Sequence, residues 1–317
     1  MLPHQIIISL VQLKLRFLSI PVLSLLVLCL LAACARNESV QTLEQRDLMR
    51  LVFKGWDVSE EKSIVRTPQL KAELPAFAKP VAVLALRMHA LHVQKLDADT
   101  AVLLVKGEPL ESGLPNLIAA YWFKRRGEAW SLVNRQDVVE WLAANGRISK
   151  TSMVELFPGD FALAIEHSHV EKNEVNVWLR LMRIDADKIS PMFDKDKDVD
   201  LVRHFESAPE CERLMHAGKA KHVRLHLRDN DPPPPNCYDY LARWELNPGT
   251  TLPGPLLLEF SGKTISHREV SHSTDSAGER ITGYDMLITP LQGKIRLVFD
   301  PAAGKYVVQH DKSHKGK

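Results

Sequence analysis

The chain has 317 residues, 45% of them hydrophobic and 25% charged, which is the composition of a globular protein with a sizeable core. Its formal net charge of +2 excludes the concentrated positive field that phosphate binding needs, so nucleic acid is not an expected partner.

The N-terminus carries Lys14 and Arg16, then the apolar run Phe17 to Leu31, then Ala32-Ala33-Cys34. Positive charge, apolar stretch and small residues before a cleavage point are the parts of an export signal. Leu31-Ala32-Ala33-Cys34 resembles the lipobox of bacterial lipoproteins. The resemblance implies cutting after Ala33 and acylation of Cys34, so that residues 1–33 are a signal peptide and 34–40 an acylated tether. It also implies a periplasm-facing protein fastened to the bacterial envelope. Ala35 after the cysteine, rather than Asp, resembles the outer-membrane sorting pattern. The alternative is an uncleaved anchor, but Phe17 to Ala33 is short of the about 20 residues a span needs and contains Ser19, Pro21 and Ser24. Two or three acyl chains hold a protein durably, because each buried methylene contributes ~0.8 kcal/mol.

Cleavage would leave 284 residues with 39 basic and 39 acidic groups. Of the four cysteines, Cys29 would leave with the signal and Cys34 would be acylated, which leaves Cys211 and Cys237. In a compartment that permits disulfides this pair reads as a bond closing a loop of about 26 positions, worth roughly 3–4 kcal/mol. Two separate buried thiols are the alternative.

Residues 41–80 read as a helix and loop lead-in. Gln41 to Phe53 has a loose stripe of Leu43, Leu48, Leu51 and Val52, with Gly55 as a stop. Ser59 to Pro80 holds Pro68, Pro75 and Pro80 and reads mostly as loop.

Residues 81–193 read as a β-meander. Val81 to Leu86 and Ala101 to Val105 are short apolar runs. Asn116 to Lys124 and Ala129 to Val133 flank Arg125-Arg126-Gly127-Glu128 as a hairpin, with Lys124-Arg125-Arg126 as a solvated turn. Gln136 to Asn145 suits either a helix stopped by Gly146 or a strand. In Phe161 to Phe193, Val175, Val177, Leu179 and Leu181 take one face and Asn176, Trp178, Arg180 and Met182 the other.

Residues 194–237 read as a loop-rich excursion clipped by the disulfide. It has a short helix near Val199 to Phe205 and the stiff run Pro232 to Pro235. The β domain resumes over 238–309, with a polar loop at Ser271 to Glu279 and a turn at Asp300 to Gly304. Residues 310–317 form a basic tail. The fold class is therefore mainly β, an antiparallel meander or sandwich with a short N-terminal helix. A propeller-like arrangement is the second possibility.

Motifs with chemistry are few. Gly262-Lys263-Thr264 resembles the end of a phosphate loop, but position 257 is Leu where the motif needs Gly, so it reads as a strand-end turn and no nucleotide is expected. Ser59-x-x-Lys62 lacks the companion motifs of penicillin-recognising enzymes. Asp194 to Asp200 alternates carboxylates, but Val199 and Phe205 stand where a calcium loop needs Gly and Glu.

There are 13 histidines. Among them His167 and His169 share one face of a predicted strand, where they could hold a metal if a third ligand came from a neighbour. Tyr121, Trp122, Trp130, Trp141, Trp178 and Trp244 read as core, with a sugar or peptide groove as the alternative.

No cofactor is expected. The functional expectation is a lipid-anchored, non-catalytic binding or interaction protein with an envelope component as partner. The alternatives are an envelope hydrolase with a site assembled from distant residues, and a histidine-dependent metal-binding protein.

Overall fold

The computed structural model describes residues 38–57, 63–66, 84–111, 113–142, 147–171, 174–194, 198–205, 222–228, 231 and 237–309. The chain is mainly β, built as two antiparallel sheets rather than as blades around an axis. The first contains β1 (Ser39–Val40), β2 (Ser63–Arg66), β3 (Ala85–Lys95), β4 (Thr100–Pro109), β5 (Leu117–Arg126) and β6 (Ala129–Trp141), in the order β1-β6-β5-β4-β3-β2. The second begins with β7 (Arg147–Phe157), β8 (Asp160–Glu171), β9 (Glu174–Ile184), β10 (Ile189–Pro191) and β11 (Val199–Phe205). It continues with β12 (His222–Arg228), β13 (Cys237–Leu246), β14 (Leu256–Thr274), β15 (Arg280–Asp300) and β16 (Lys305–Val308). Its order is β12-β15-β14-β13-β11-β9-β8-β7, with β10 on β9 and β16 on β15. The boundary between the sheets thus falls inside the segment 81–193 that reads as one meander.

Continuous apolar runs make β4 and β5 buried on both faces, as expected of a strand with no polar alternation. Ala101, Leu103, Val105, Leu117, Ala119, Tyr121 and Phe123 face one core. The helix α1 (Gln45–Val52) closes that core with Leu48 and Met49, both fully buried. The expected helix is present, and its stripe faces the core: Leu48 is buried, Leu43, Leu51 and Val52 pack against it partly buried, and Met49 joins them fully buried.

On the opposite face, Val102, Leu104, Ile118, Ala120 and Trp122 meet Leu163, Ile165, Met182 and Ile184 of the second sheet. The buried Trp122 indole donates to the Asp185 carbonyl at 3.1 Å, so burial leaves no polar atom of that ring orphaned. His92 on β3 joins Thr151 on β7 at 2.9 Å across the same junction.

The second sheet uses its other face too. Ala162, Ala164, Leu179 and Leu181 share a core with Ala242, Leu256, Leu258, Leu297 and Tyr306. Strands far apart in the sheet order can share one core only if the sheet curls. Two backbone bonds pin the curl at one end, from Gly249 N (2.8 Å) and Gly254 N (3.3 Å) to the Leu156 carbonyl. Tyr306 adds its hydroxyl to the Gly254 carbonyl at 2.7 Å.

Four expectations need correction. Val199 to Phe205 is strand β11, not a helix. It pairs with β9 on one side and β13 on the other, and two ladders satisfy a backbone that local propensity left undecided. Gly262 lies inside β14, not at a strand-end turn. It has φ +151°, and a Cβ there would run into the Asp239 carbonyl, so a glycine lets β13 and β14 approach. The polar segment expected at Ser271 to Glu279 is ladder as far as Thr274, paired with Arg280. The excursion 194–237 contains β11 and β12, both part of the second sheet. Over the open choice at Gln136 to Asn145, β6 runs to Trp141 as a strand, and residues 143–146 lie outside the described ones.

Candidate functional site

The curled sheet leaves an open cavity of about 380 Å³ on its concave face. Its floor is Val177 of β9, Leu201 and Val202 of β11 and Ala242 of β13. Period-two alternation puts Tyr240, Ala242, Trp244 and Leu246 on the inner side of β13, packed with that core. On β8 the same rule brings Glu166 onto the face of Ala162 and Ala164. A carboxylate on an apolar strand face needs partners. Glu166 accepts from Trp244 Nε1 at 3.0 Å and from Lys150 Nζ at 3.4 Å.

Trp244 and Glu166 stand on strands separated by β11 and β9. On a flat sheet three strand spacings of ~4.8 Å would hold their backbones about 14 Å apart. The curl brings their side chains within one hydrogen bond. The cavity wall is therefore braced by a Trp–Glu–Lys chain. Lys150 is 64% exposed at the rim, while Glu166 is 22% exposed. Arg243, exposed, projects by the same alternation from the other face of β13, where Glu259 of β14 stands opposite it in the ladder.

The predicted histidines lie on the convex side of the same strand, toward the first sheet. His167 is buried, and its Nε2 lies 2.8 Å from Asp198. Arg180 donates to the other Asp198 oxygen at 2.7 Å and to Glu140 of β6 at 2.7 Å, which ties the two sheets together. Burial works to raise the Asp198 pKa, but the hydrogen bonds and charges of His167 and Arg180 outweigh it and hold the carboxyl below the usual carboxylate range. Arg180 is held more firmly protonated, because Asp198 and Glu140 outweigh its burial.

Trp178 lies beside both imidazoles, with ring centroids at 5.4 Å from His167 and 6.5 Å from His169. The His167 Nδ1 is buried with no hydrogen-bond partner among the described residues. Among those residues no group of three His, Cys, Asp or Glu side chains gathers as a metal site would require.

The remaining candidates separate. Cys34 and Cys211 lie outside the described residues, as do Ser59 and Lys62. Cys237 is fully buried and disulfide-bonded. In the acidic run, Asp194 pairs with Lys305 at 3.0 Å while Asp198 serves the His167 cluster. The pair does not act as one loop of ligands. Arg125 and Arg126 are exposed at the β5–β6 turn. Of the aromatic set, Tyr121 and Trp122 are fully buried and Trp130 is 5% exposed, so they are core. Trp244 is the member that lines an opening.

Sequence reading missed the Trp244–Glu166 bridge, whose partners are 78 positions apart. One signal was present: Glu166 is a charged residue in register with Ala162 and Ala164 on the apolar face of β8. Among the described residues no helix is long and apolar enough to cross a membrane. No protein family matches the chain, and no curated protein matches it.

Proposed function

We propose that this is a lipid-anchored protein of the bacterial envelope that binds a ligand without transforming it, using the concave face of its curled sheet. The anchor rests on the Leu31-Ala32-Ala33-Cys34 sequence. The observation that carries the binding reading is the open cavity of about 380 Å³ braced by Trp244 and Glu166. That volume is near the lower end of the ~300–1,000 Å³ usual for small-ligand sites.

The lining favours binding over catalysis. Its ionisable groups are Lys150, Glu166 and Arg243. Glu166 is engaged by Lys150 and Trp244, and the set contains no nucleophile with a base beside it. A preformed concave surface with apolar side chains and a few fixed polar groups is what a binding site requires.

The test is native mass spectrometry of the full chain released from bacterial membranes. The wild type is expected to carry a bound non-protein species that Ala242→Phe, by filling the floor, expels. Finding only acylated polypeptide in the wild type would count against the reading.

A further inference from the structure

Four residues, Ala35 to Glu38, separate Cys34 from Ser39. A chain reaches at most ~3.6 Å per residue, so Cys34 stands within about 18 Å of Ser39. Ser39 pairs with Ser131 and Val40 with Trp130, which fixes this point on the edge of the first sheet. Ala129 lies two residues from Ser131, ~7 Å along β6, and pairs with Arg126. An acylated Cys34 therefore brings the bilayer to the corner of the first sheet formed by β1 and the β5–β6 turn.

That corner suits a phosphate-bearing surface. From Lys124 to Glu128, all exposed, three cations stand against one carboxylate. Lys124 is near enough to Asp97 of the β3–β4 turn to stabilise its carboxylate. Asp97 is also taken up by the backbone N–H groups of Asp99 and Thr100, at 2.7 and 2.6 Å. Arg125 and Arg126 have no ion-pair partner among the described residues. Arg125 donates through Nε to the Gly127 carbonyl at 3.1 Å, and its two terminal nitrogens stay open to a ligand. Val133, two residues past Ser131 on β6, is 48% exposed and adds an apolar group to the same corner. Guanidinium groups match phosphate oxygens in charge and in geometry.

We propose that this corner rests on the bilayer that holds the acyl chains, with Arg125 and Arg126 on lipid headgroup phosphates and Val133 against the same layer. This relies on the anchor in the reading above and adds the orientation of the body and its headgroup contact. The β14–β15 turn is the comparison surface. Thr274, where β14 ends, is 18 residues beyond Leu256 of the second-sheet core.

The experiment is photo-crosslinking of the full acylated chain in vesicles of phosphatidylethanolamine and phosphatidylglycerol, with a diazirine on the phosphatidylethanolamine headgroup. Flotation with the vesicles reports attachment, and mass spectrometry maps the labelled peptides. Label is expected on residues 124–133 severalfold above residues 274–280. Arg125→Gln with Arg126→Gln should float like the wild type and keep its unfolding midpoint. Its label over 124–133 should fall at least about fivefold, since one cation near an anionic surface is worth about that factor.

Equal label on the two segments, or more on 274–280, in a chain that floats would overturn the orientation and leave the anchor standing. Undiminished label in the double variant would overturn the phosphate contact of the two arginines. A wild type that does not float would remove the anchor, and the orientation with it.

Discussion

Trp244 of β13 donates its indole N–H to Glu166 of β8 at 3.0 Å, over the two strands that lie between them. The bond braces the concave face and gives a half-buried carboxylate a partner. Trp244→Phe keeps most of the ring but removes the donor, while Lys150 continues to serve Glu166. The expected cost is about 1 kcal/mol in urea unfolding, the net worth of one hydrogen bond to a charged group that keeps a second partner. Glu166→Leu with Trp244→Phe should then cost less than the sum of the two single changes, since each of them removes the Trp244–Glu166 contact. Fully additive losses would show that the two residues are not coupled.

The junction between the sheets depends on the His167–Asp198–Arg180 cluster, and this gives the fold an acid sensitivity. Burial opposes ionisation of Asp198, but His167 and Arg180 overcome it, so the folded-state pKa is lowered. A lowered carboxyl pKa stabilises the fold above the unfolded value, about 3.9, and that contribution is lost as pH falls through the folded value. Asp198→Asn is expected to destabilise the protein at neutral pH and to flatten the loss of stability below about pH 4. An acid limb of unchanged steepness in the variant would assign the sensitivity to other carboxylates.

Trp122 is fully buried between the sheets and hydrogen-bonded to the Asp185 carbonyl. Trp122→Ala should cost about 3–5 kcal/mol, the range for emptying a large aromatic site. Trp122→Phe, which loses the N–H and part of the volume, should cost about 1–3 kcal/mol. Chemical denaturation measures both. Losses under about 0.5 kcal/mol, the range of surface changes, would mean that the two sheets do not share this core.

Gly262 sits where β14 passes close to β13. A Cβ there would collide with the Asp239 carbonyl, which is backbone and can yield only by shifting the strand. Gly262→Ala is expected to lower the thermal midpoint by several degrees, since a residue forced into an incompatible conformation costs more than about 1 kcal/mol. Gly127, at φ +64° in the open β5–β6 turn with nothing near its Cβ position, is the control. Gly127→Asn should be tolerated, because Asn adopts that conformation most readily among the non-glycine residues. Equal sensitivity at the two positions would remove the steric explanation.

The fold was legible where hydrophobic pattern alone decides it. Ala101 to Val105 is apolar at every position, and it is buried on both sides. The alternation of Val175 to Met182 correctly assigned the two faces of β9. The pattern was silent for β7, whose Arg147, Ser149 and Lys150 are mostly exposed on an edge strand, so no stripe marks it. It was also silent for the outer halves of β14 and β15. There Ser271, His272 and Ser273 pair with Gly283, Thr282 and Ile281, and the buried positions are the polar Thr282 and Gly283, so no apolar stripe announces the hairpin. The site was the least legible part. Glu166 and Trp244 become neighbours only through the curl, and curl depends on how all the strands of the second sheet pack.

The proposed anchor at Cys34, which sets the binding face of the curled sheet in the envelope, is tested most directly by growing cells on radioactive palmitate. The full chain should take up label, shorten on maturation and lose both properties in Cys34→Ser. Equal labelling of wild type and variant, or no label in either, would contradict attachment through this cysteine and with it the envelope setting of the proposed function.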